Sequence, residues 1–340
     1  KKPSGVWIMA YTTIDDPTAY FQAKTYTGNG GTNAITFDGN SDLSPDFVWL
    51  KMRSHADNHT LFNTTSGVGE RLFSNLTQAE STESTSLTAF GSDGFTLGAD
   101  ALANANTKTF VSWNWKESAT AGFDIVSYTG NGSSGLTVSH SLSAVPSVMI
   151  IKNRSGAYSW AVYHHKNTSA PQTETLFLDV NDATADRVNE FNDTAPTSSI
   201  FTVGDGNSVN NSSENFIAYL FAEKQGFSKF GSYTGNGNAD GSFIYLGFKP
   251  AFVMVKRTSG TGAWWMRDNK IAPFNLASNV LQANDSGAQA DGVGTMDFLS
   301  NGFKLKDTTD ASNTSGGSYI YMAFAENPFV TSTGVPTTAR

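Results

Sequence analysis

Three segments of the chain share one hydrophobic pattern: a proline, one further residue, four apolar residues in a row, then a lysine. They are Pro45 to Lys51, Pro146 to Lys152 and Pro250 to Lys256. Apolar residues at consecutive positions, without alternation, predict a strand buried on both faces, and a proline is tolerated where a strand begins. A second pattern closes each third of the chain. Val111, Trp113 and Trp115 correspond to Ile217, Tyr219 and Phe221 and to Ile320, Met322 and Phe324. All nine are apolar at period two, which predicts one buried face; the intervening positions are mixed and predict a partly covered one. Between these lie an aromatic strand (Thr60 to Phe62, Trp160 to Tyr163, Trp264 to Met266) and a turn delivering Phe95-Thr96-Leu97 and Phe303-Lys304-Leu305. The middle third retains only Phe201-Thr202-Val203 of that last element.

Tyr-Thr-Gly-Asn-Gly occurs at residues 26–30, 128–132 and 233–237, spacings of 102 and 105 residues. Such a period is too long for a solenoid unit and suits a small domain. Its glycines suit a hairpin turn. The predicted fold is therefore all-β, three tandem antiparallel β-sandwich domains of jelly-roll or lectin-like type: 1–20 a leader or assembly arm, 21–120, 121–226 and 227–327 the repeats, 328–340 a tail. In the leader, Val6 to Met9 is apolar enough to dock.

Composition narrows the function. Net charge is −8 and the pI about 5.1, and no Lys/Arg cluster is present, which argues against nucleic acid as a partner. Without cysteine there is neither a disulfide framework nor a zinc-thiolate site. No apolar stretch reaches the length of a membrane helix, so no membrane insertion is expected. The recurring Lys51/Lys152/Lys256 and Glu117/Glu223/Glu326 end strands and suggest salt bridges at a sandwich edge or simple solvation there. The five histidines recur at no equivalent position, and no Ser-His-Asp or HExxH pattern accompanies them; no catalytic residue is expected.

Two binding chemistries are open. Asp38, Asn40 and Asp42 have the alternating oxygens of half a calcium loop, without the glutamate that completes it; a structural calcium is the one cofactor considered. Trp160, Trp264 and Trp265 are candidates for stacking on a sugar. Trp264 and Trp265 are adjacent, so on a strand one of them points away from the core.

Phe227 to Gly237, Gly247 to Arg257, Asp297 to Leu305 and Tyr319 to Glu326 together resemble a repeat domain of unknown function found in virion proteins of marine phages and related prophages, and Pro45 to Lys51 with Ala79 to Thr82 resembles it in the first copy. The resemblance implies a non-enzymatic role on the virion surface, as a tail fibre, appendage or receptor-binding component. The implied partners are other virion proteins, copies of the chain itself (a trimer among the options) and a host-surface glycan. A coat or decorating protein of a capsid or filament is the alternative, and a secreted glycan-binding or glycan-active protein ranks third.

Overall fold

The computed structural model describes residues 10–338; the apolar segment Val6 to Met9 falls outside them. The fold is all-β, with several antiparallel sheets in a sandwich-type arrangement. Each third contributes a main sheet of the same strand order. In unit 1 the opening strand (Phe21–Thr27) lies beside the closing strand (Thr109–Trp115), then the central strand (Phe47–Met52), then a flanking strand (Thr60–Asn63). In unit 2 these are Phe123–Thr129, Asn215–Phe221, Val148–Asn153 and Ala161–His164, and in unit 3 Ser228–Thr234, Ser318–Pro328, Phe248–Arg257 and Trp265–Asp268. The register repeats: Tyr26, Tyr128 and Tyr233 stand opposite Phe110, Phe216 and Tyr319.

The central strands of units 1 and 2 are buried at every residue, as their uninterrupted apolar runs require. In unit 3 the strand begins earlier, at Phe248, and Pro250 sits at a register shift, where the missing N–H breaks no regular ladder. The closing strands are buried on both faces, including Phe110, Ser112 and Asn114, because a second layer covers the face that the sequence left mixed. That layer is a small sheet: Asn33–Thr36, Gly94–Leu97 and Leu87–Gly91 in unit 1, Phe243–Tyr245, Gly302–Leu305 and Met296–Leu299 in unit 3. In unit 2 only Leu136–Ser139 and Ile200–Val203 remain. A single helical turn, Val188–Phe191, sets Phe191 against Tyr163 at 5.7 Å in the remaining space.

The opposite faces of the three main sheets meet one another. Phe47 stacks on Tyr219 at 4.4 Å, Phe221 lies 5.8 Å from Phe324, and Phe21 stacks on Phe324 at 5.1 Å, so every pair of units is in contact. The shared core is closely packed, with a void of about 10 Å³ between Phe47, Trp115, Tyr219, Phe221, Phe252 and Met322. Units 1 and 2 each bury a core of their own between main and outer sheet; in addition, the aromatic face of each main sheet is buried by the other two.

Hydrogen bonds close the ring. Trp160 Nε1 of unit 2 donates to Phe73 O of unit 1 (3.0 Å), Trp264 Nε1 of unit 3 to Phe177 O of unit 2 (2.9 Å), and His59 Nε2 of unit 1 to Gln282 O of unit 3 (2.9 Å). The three residues occupy one position, immediately before or at the start of the flanking strand. His59 can stand in for tryptophan because its Nδ1 accepts from the donor-only indole of Trp49 at 2.9 Å, which fixes the proton on Nε2. A second cyclic set links Asn63 Nδ2 to Tyr219 Oη (3.1 Å), His164 Nε2 to Tyr321 O (3.1 Å) and Trp113 Nε1 to Asp268 Oδ2 (2.9 Å). Burial holds His59 and His164 down to about 3, neutral at any ordinary pH.

Residues 10–20 join the ring in the same chain. Thr12 Oγ1 donates to Gln225 O (2.8 Å), Tyr11 Oη to Gly247 O (2.7 Å), and Ile14 is buried in the shared core. A shared core predicts cooperative unfolding: calorimetry should give one transition, with equal calorimetric and van't Hoff enthalpies, and not three separable ones.

Candidate functional site

Each Tyr-Thr-Gly-Asn-Gly carries the chain from a main sheet to an outer sheet, since Phe21–Thr27 pairs with the closing strand and Asn33–Thr36 with Gly94–Leu97. It is therefore a crossover and not the hairpin turn its composition suggested. A buried asparagine holds it. Asn104 Oδ1 accepts from Asn29 N (3.0 Å) while its Nδ2 donates to Asn29 Oδ1 (3.0 Å), Gly31 O and Gly98 O (both 2.7 Å). Asn210 does the same for Asn131, Ser133 O and Gly204 O, and Asn313 for Asn236, Asn238 O and Asp307 O. The motif tyrosine donates to a carbonyl beside that asparagine: Tyr26 to Ala103 O, Tyr128 to Val209 O, Tyr233 to Ser312 O. The first glycine is needed for approach, because a Cβ on Gly28 would lie 2.2 Å from Ala105 O; the second, Gly30, has φ +67°. A sequence signal for these asparagines exists, since each stands six residues before the aromatic residue near the start of the closing strand (Phe110, Phe216, Tyr319).

The recurring lysines and glutamates are not partners. Central and closing strands are antiparallel, with Lys51 opposite Val111, so Glu117, six residues further on, lies roughly 20 Å away along the sheet. The lysines are fully buried. Lys152 Nζ donates to Thr77 O of unit 1 (2.8 Å) and Tyr158 O (2.6 Å), Lys256 Nζ to Asp182 O of unit 2 and Arg257 O (both 2.7 Å), and Lys51 Nζ to Met52 O (2.7 Å). Burial pushes each ammonium down to about 8. Their role is to satisfy carbonyls, two of them across unit boundaries.

The glutamates mark the junctions at the other end. Glu326 pairs with Lys249 at 3.1 Å, and Glu223 lies 3.7 Å from His165 Nε2. Glu117 meets acids instead: burial, then a hydrogen bond to the Asp124 carboxyl and the charges of Asp124 and Asp46, raise it to about 7. Its contribution to stability is complete below its ordinary value of 4.5 and is lost as the pH rises through 7. Glu117→Gln removes that loss, and allowing for solvent screening at a half-buried site we expect about 1 kcal/mol of added stability at pH 8 and none at pH 4. Denaturant midpoints at the two pH values check this.

The expected binding residues fall elsewhere. Trp160 and Trp264 are 0% and 2% exposed and lie in the shared core, so neither can stack on a sugar; the ring closure needs their N–H groups inside. Trp265 is half-buried, with the Arg267 guanidinium 5.1 Å from its ring centre. Asp38 is not presented to a cation: Lys270 Nζ lies 2.8 Å from one carboxylate oxygen and Lys24 Nζ 3.2 Å from the other. Burial alone would raise this carboxyl, but the two ammonium groups outweigh it and lower it. The loop is also stitched to the opening strand, through Gly39 N to Gln22 Oε1, and to the turn at Pro17–Ala19, through Ser41 N to Thr18 Oγ1. Asn40 and Asp42 point to solvent, and among the described residues no three acidic, His or Cys side chains converge as a metal site.

What the structure brings together is a cleft of about 380 Å³ where the leading segment and the end of unit 2 meet unit 3, lined by Tyr11, Glu223, Gln225, Ser228, Lys229 and Tyr245. Lys229 fixes its wall by donating to Tyr245 O at 2.7 Å, with its ammonium 5.2 Å from the Tyr245 ring centre. This strand-to-loop tie recurs at the equivalent residues, from Gln22 to the Gly39–Ser41 loop and from Asp124 to Ser141 N. Glu223 accepts from Phe230 N at 2.8 Å; burial acts to raise it, and hydrogen bonds and nearby positive charge hold it below its ordinary value. Tyr245 and Phe243 are 48% and 46% exposed on one face of their strand. The register places Ala34 and Thr36 in unit 1, and Thr137 and Ser139 in unit 2, where unit 3 has these rings.

No curated protein matches the chain. The model of a family described as a domain of unknown function (DUF7483) matches residues 16–328, a span that takes in all three units and the bonds that close them into a ring, and the chain belongs to that family.

Proposed function

We propose that the chain is a non-enzymatic surface component of a bacteriophage particle, part of a tail fibre or a receptor-binding structure, in which a rigid three-unit body presents one specialised face. The virion setting rests on the resemblance of the repeated motifs to phage appendage domains. The attachment role rests on one observation: unit 3 alone replaces small residues of its outer strand with exposed aromatic rings beside a polar cleft. Among the lysines that recur in every unit, Lys152 and Lys256 bond carbonyls of the neighbouring unit, and a rigid body suits presentation of a contact surface.

Antibody labelling of purified particles, with binding of the isolated protein to host cells, tests the reading. Labelled appendages and saturable cell binding support it; a compact monomer that hydrolyses polysaccharide and labels no particle overturns it. A decorating protein is the second reading, favoured by Phe274 and Leu276, 79% and 49% exposed on one loop of unit 3, as an apolar contact between copies would require. Regular arrays of label without cell binding distinguish it.

A further inference from the structure

We infer that the cleft between unit 3, the end of unit 2 and the leading segment is a saccharide-binding site in which the exposed ring of Tyr245 stacks on the C–H face of a pyranose while Glu223, Gln225 and the Tyr11 hydroxyl hydrogen-bond its hydroxyl groups. The inference rests on the attachment reading above and assigns that reading its ligand class and its residues.

Three features carry it. The first is composition. A pyranose has an apolar face and a rim of vicinal hydroxyls, so its site needs a flat ring beside groups that both donate and accept. The cleft supplies the Tyr245 ring together with a carboxylate, an amide, an ammonium and two hydroxyls. A dry protein-docking surface would instead carry aromatic and aliphatic side chains at its centre with charge confined to the rim.

The second feature is preorganisation. Lys229 ties the Tyr245 backbone and sits against its ring. Tyr11 is anchored to Gly247 O at 2.7 Å and packs edge-on to Phe329 at 6.5 Å, with its hydroxyl 3.4 Å from that of Tyr245. A Cβ on Gly247 would lie 2.4 Å from that Tyr11 hydroxyl, so the chain is bare of side chain where the two tyrosines converge. Ordering therefore costs little on binding. The cleft's size, about 380 Å³, is within the roughly 300–1,000 Å³ of small-ligand sites.

The third is that the feature is local. Stability does not require an aromatic residue at the Tyr245 position, since units 1 and 2 form the same outer strand with Thr36 and Ser139 there, both exposed to solvent.

The test uses the whole chain. An immobilised array of neutral hexose and N-acetylhexosamine tri- and tetrasaccharides identifies binders, and calorimetry with the strongest of them compares variants. Tyr245→Ala should weaken binding at least tenfold, Tyr245→Phe should retain it within about threefold because the ring carries the stacking, and Thr36→Ala in unit 1 should change nothing. All three leave the unfolding midpoint in place if the site is as exposed as it stands. A second arm measures adhesion to host cells before and after periodate oxidation, which cleaves vicinal diols. Loss of adhesion on both periodate treatment and Tyr245→Ala supports the inference. Adhesion that survives either one overturns it and leaves the attachment reading standing. A wild-type chain that binds neither cells nor any arrayed saccharide overturns both.

Discussion

Raising the pH from 7.5 to 9.5 is expected to stabilise the folded chain. Lys51, Lys152 and Lys256 are depressed by burial from 10.5 to about 8. Between those two values the unfolded chain holds protons that the folded chain has released, so stability rises with pH across that window. Each lysine contributes on the order of 2 kcal/mol to the rise up to pH 9.5. Above pH 10 the gain reverses, because burial raises the hydroxyls of Tyr26, Tyr128 and Tyr233 well above 10.0 and the unfolded chain then ionises first. Urea midpoints between pH 7 and 11 should trace a maximum at about pH 10. Lys152→Met should flatten the rise by about a third whatever its effect on absolute stability. A wild-type profile that is level or falling from pH 7.5 to 9.5 would mean that the ammonium groups reach solvent, contrary to their complete burial.

Replacing one locking asparagine is expected to be more damaging than any surface change. Asn210→Ala leaves Asn131 N–H, Ser133 O and Gly204 O without the partner that served all three. Unmet buried groups of this kind cost roughly 1–3 kcal/mol each, with partial relief from water, so a loss of about 3–5 kcal/mol follows. Asn210→Asp separates hydrogen bonding from packing. It preserves volume and the acceptor, removes both donors and sets a carboxylate against two carbonyl oxygens, so it should be at least as destabilising as alanine at pH 7. If the aspartate variant instead matches wild type in its melting temperature, the lock is a matter of shape and not of bonds. Because the core is shared, the loss should appear in the single transition of the whole chain.

Much of the fold was legible because it depends on local periodicity. The uninterrupted apolar runs such as Phe47 to Leu50 predicted strands buried on both faces, and alternation in Val111, Trp113 and Trp115 marked a buried face. The candidate site was far less legible. Trp160, Trp264 and Trp265 drew attention as large aromatics, but a buried indole and a stacking platform have the same sequence signature, and only burial separates them. Asp38 looked like half a calcium loop until Lys270, more than two hundred residues away in sequence, proved to be its partner. Tyr245 went unnoticed because its significance lies in contrast with Thr36 and Ser139, and that alignment is visible only in the strand register.

By itself the sequence determined the repeat, the strands and which side chains must be buried, since these follow from patterns that each residue shares with neighbours a few positions away. Tertiary structure alone decided what buries them. The inner face of each sheet could have been covered by a private second layer, and nothing in its alternation says otherwise. It is covered by the other two sheets, with Trp160, Trp264 and His59 bonding each unit to the one before it and the first unit to the last. A bond between residues 223 positions apart leaves no periodic trace, so the closed ring, the burial of the lysines beneath neighbouring units and the cleft between Tyr11 and Tyr245 are properties of the assembled chain.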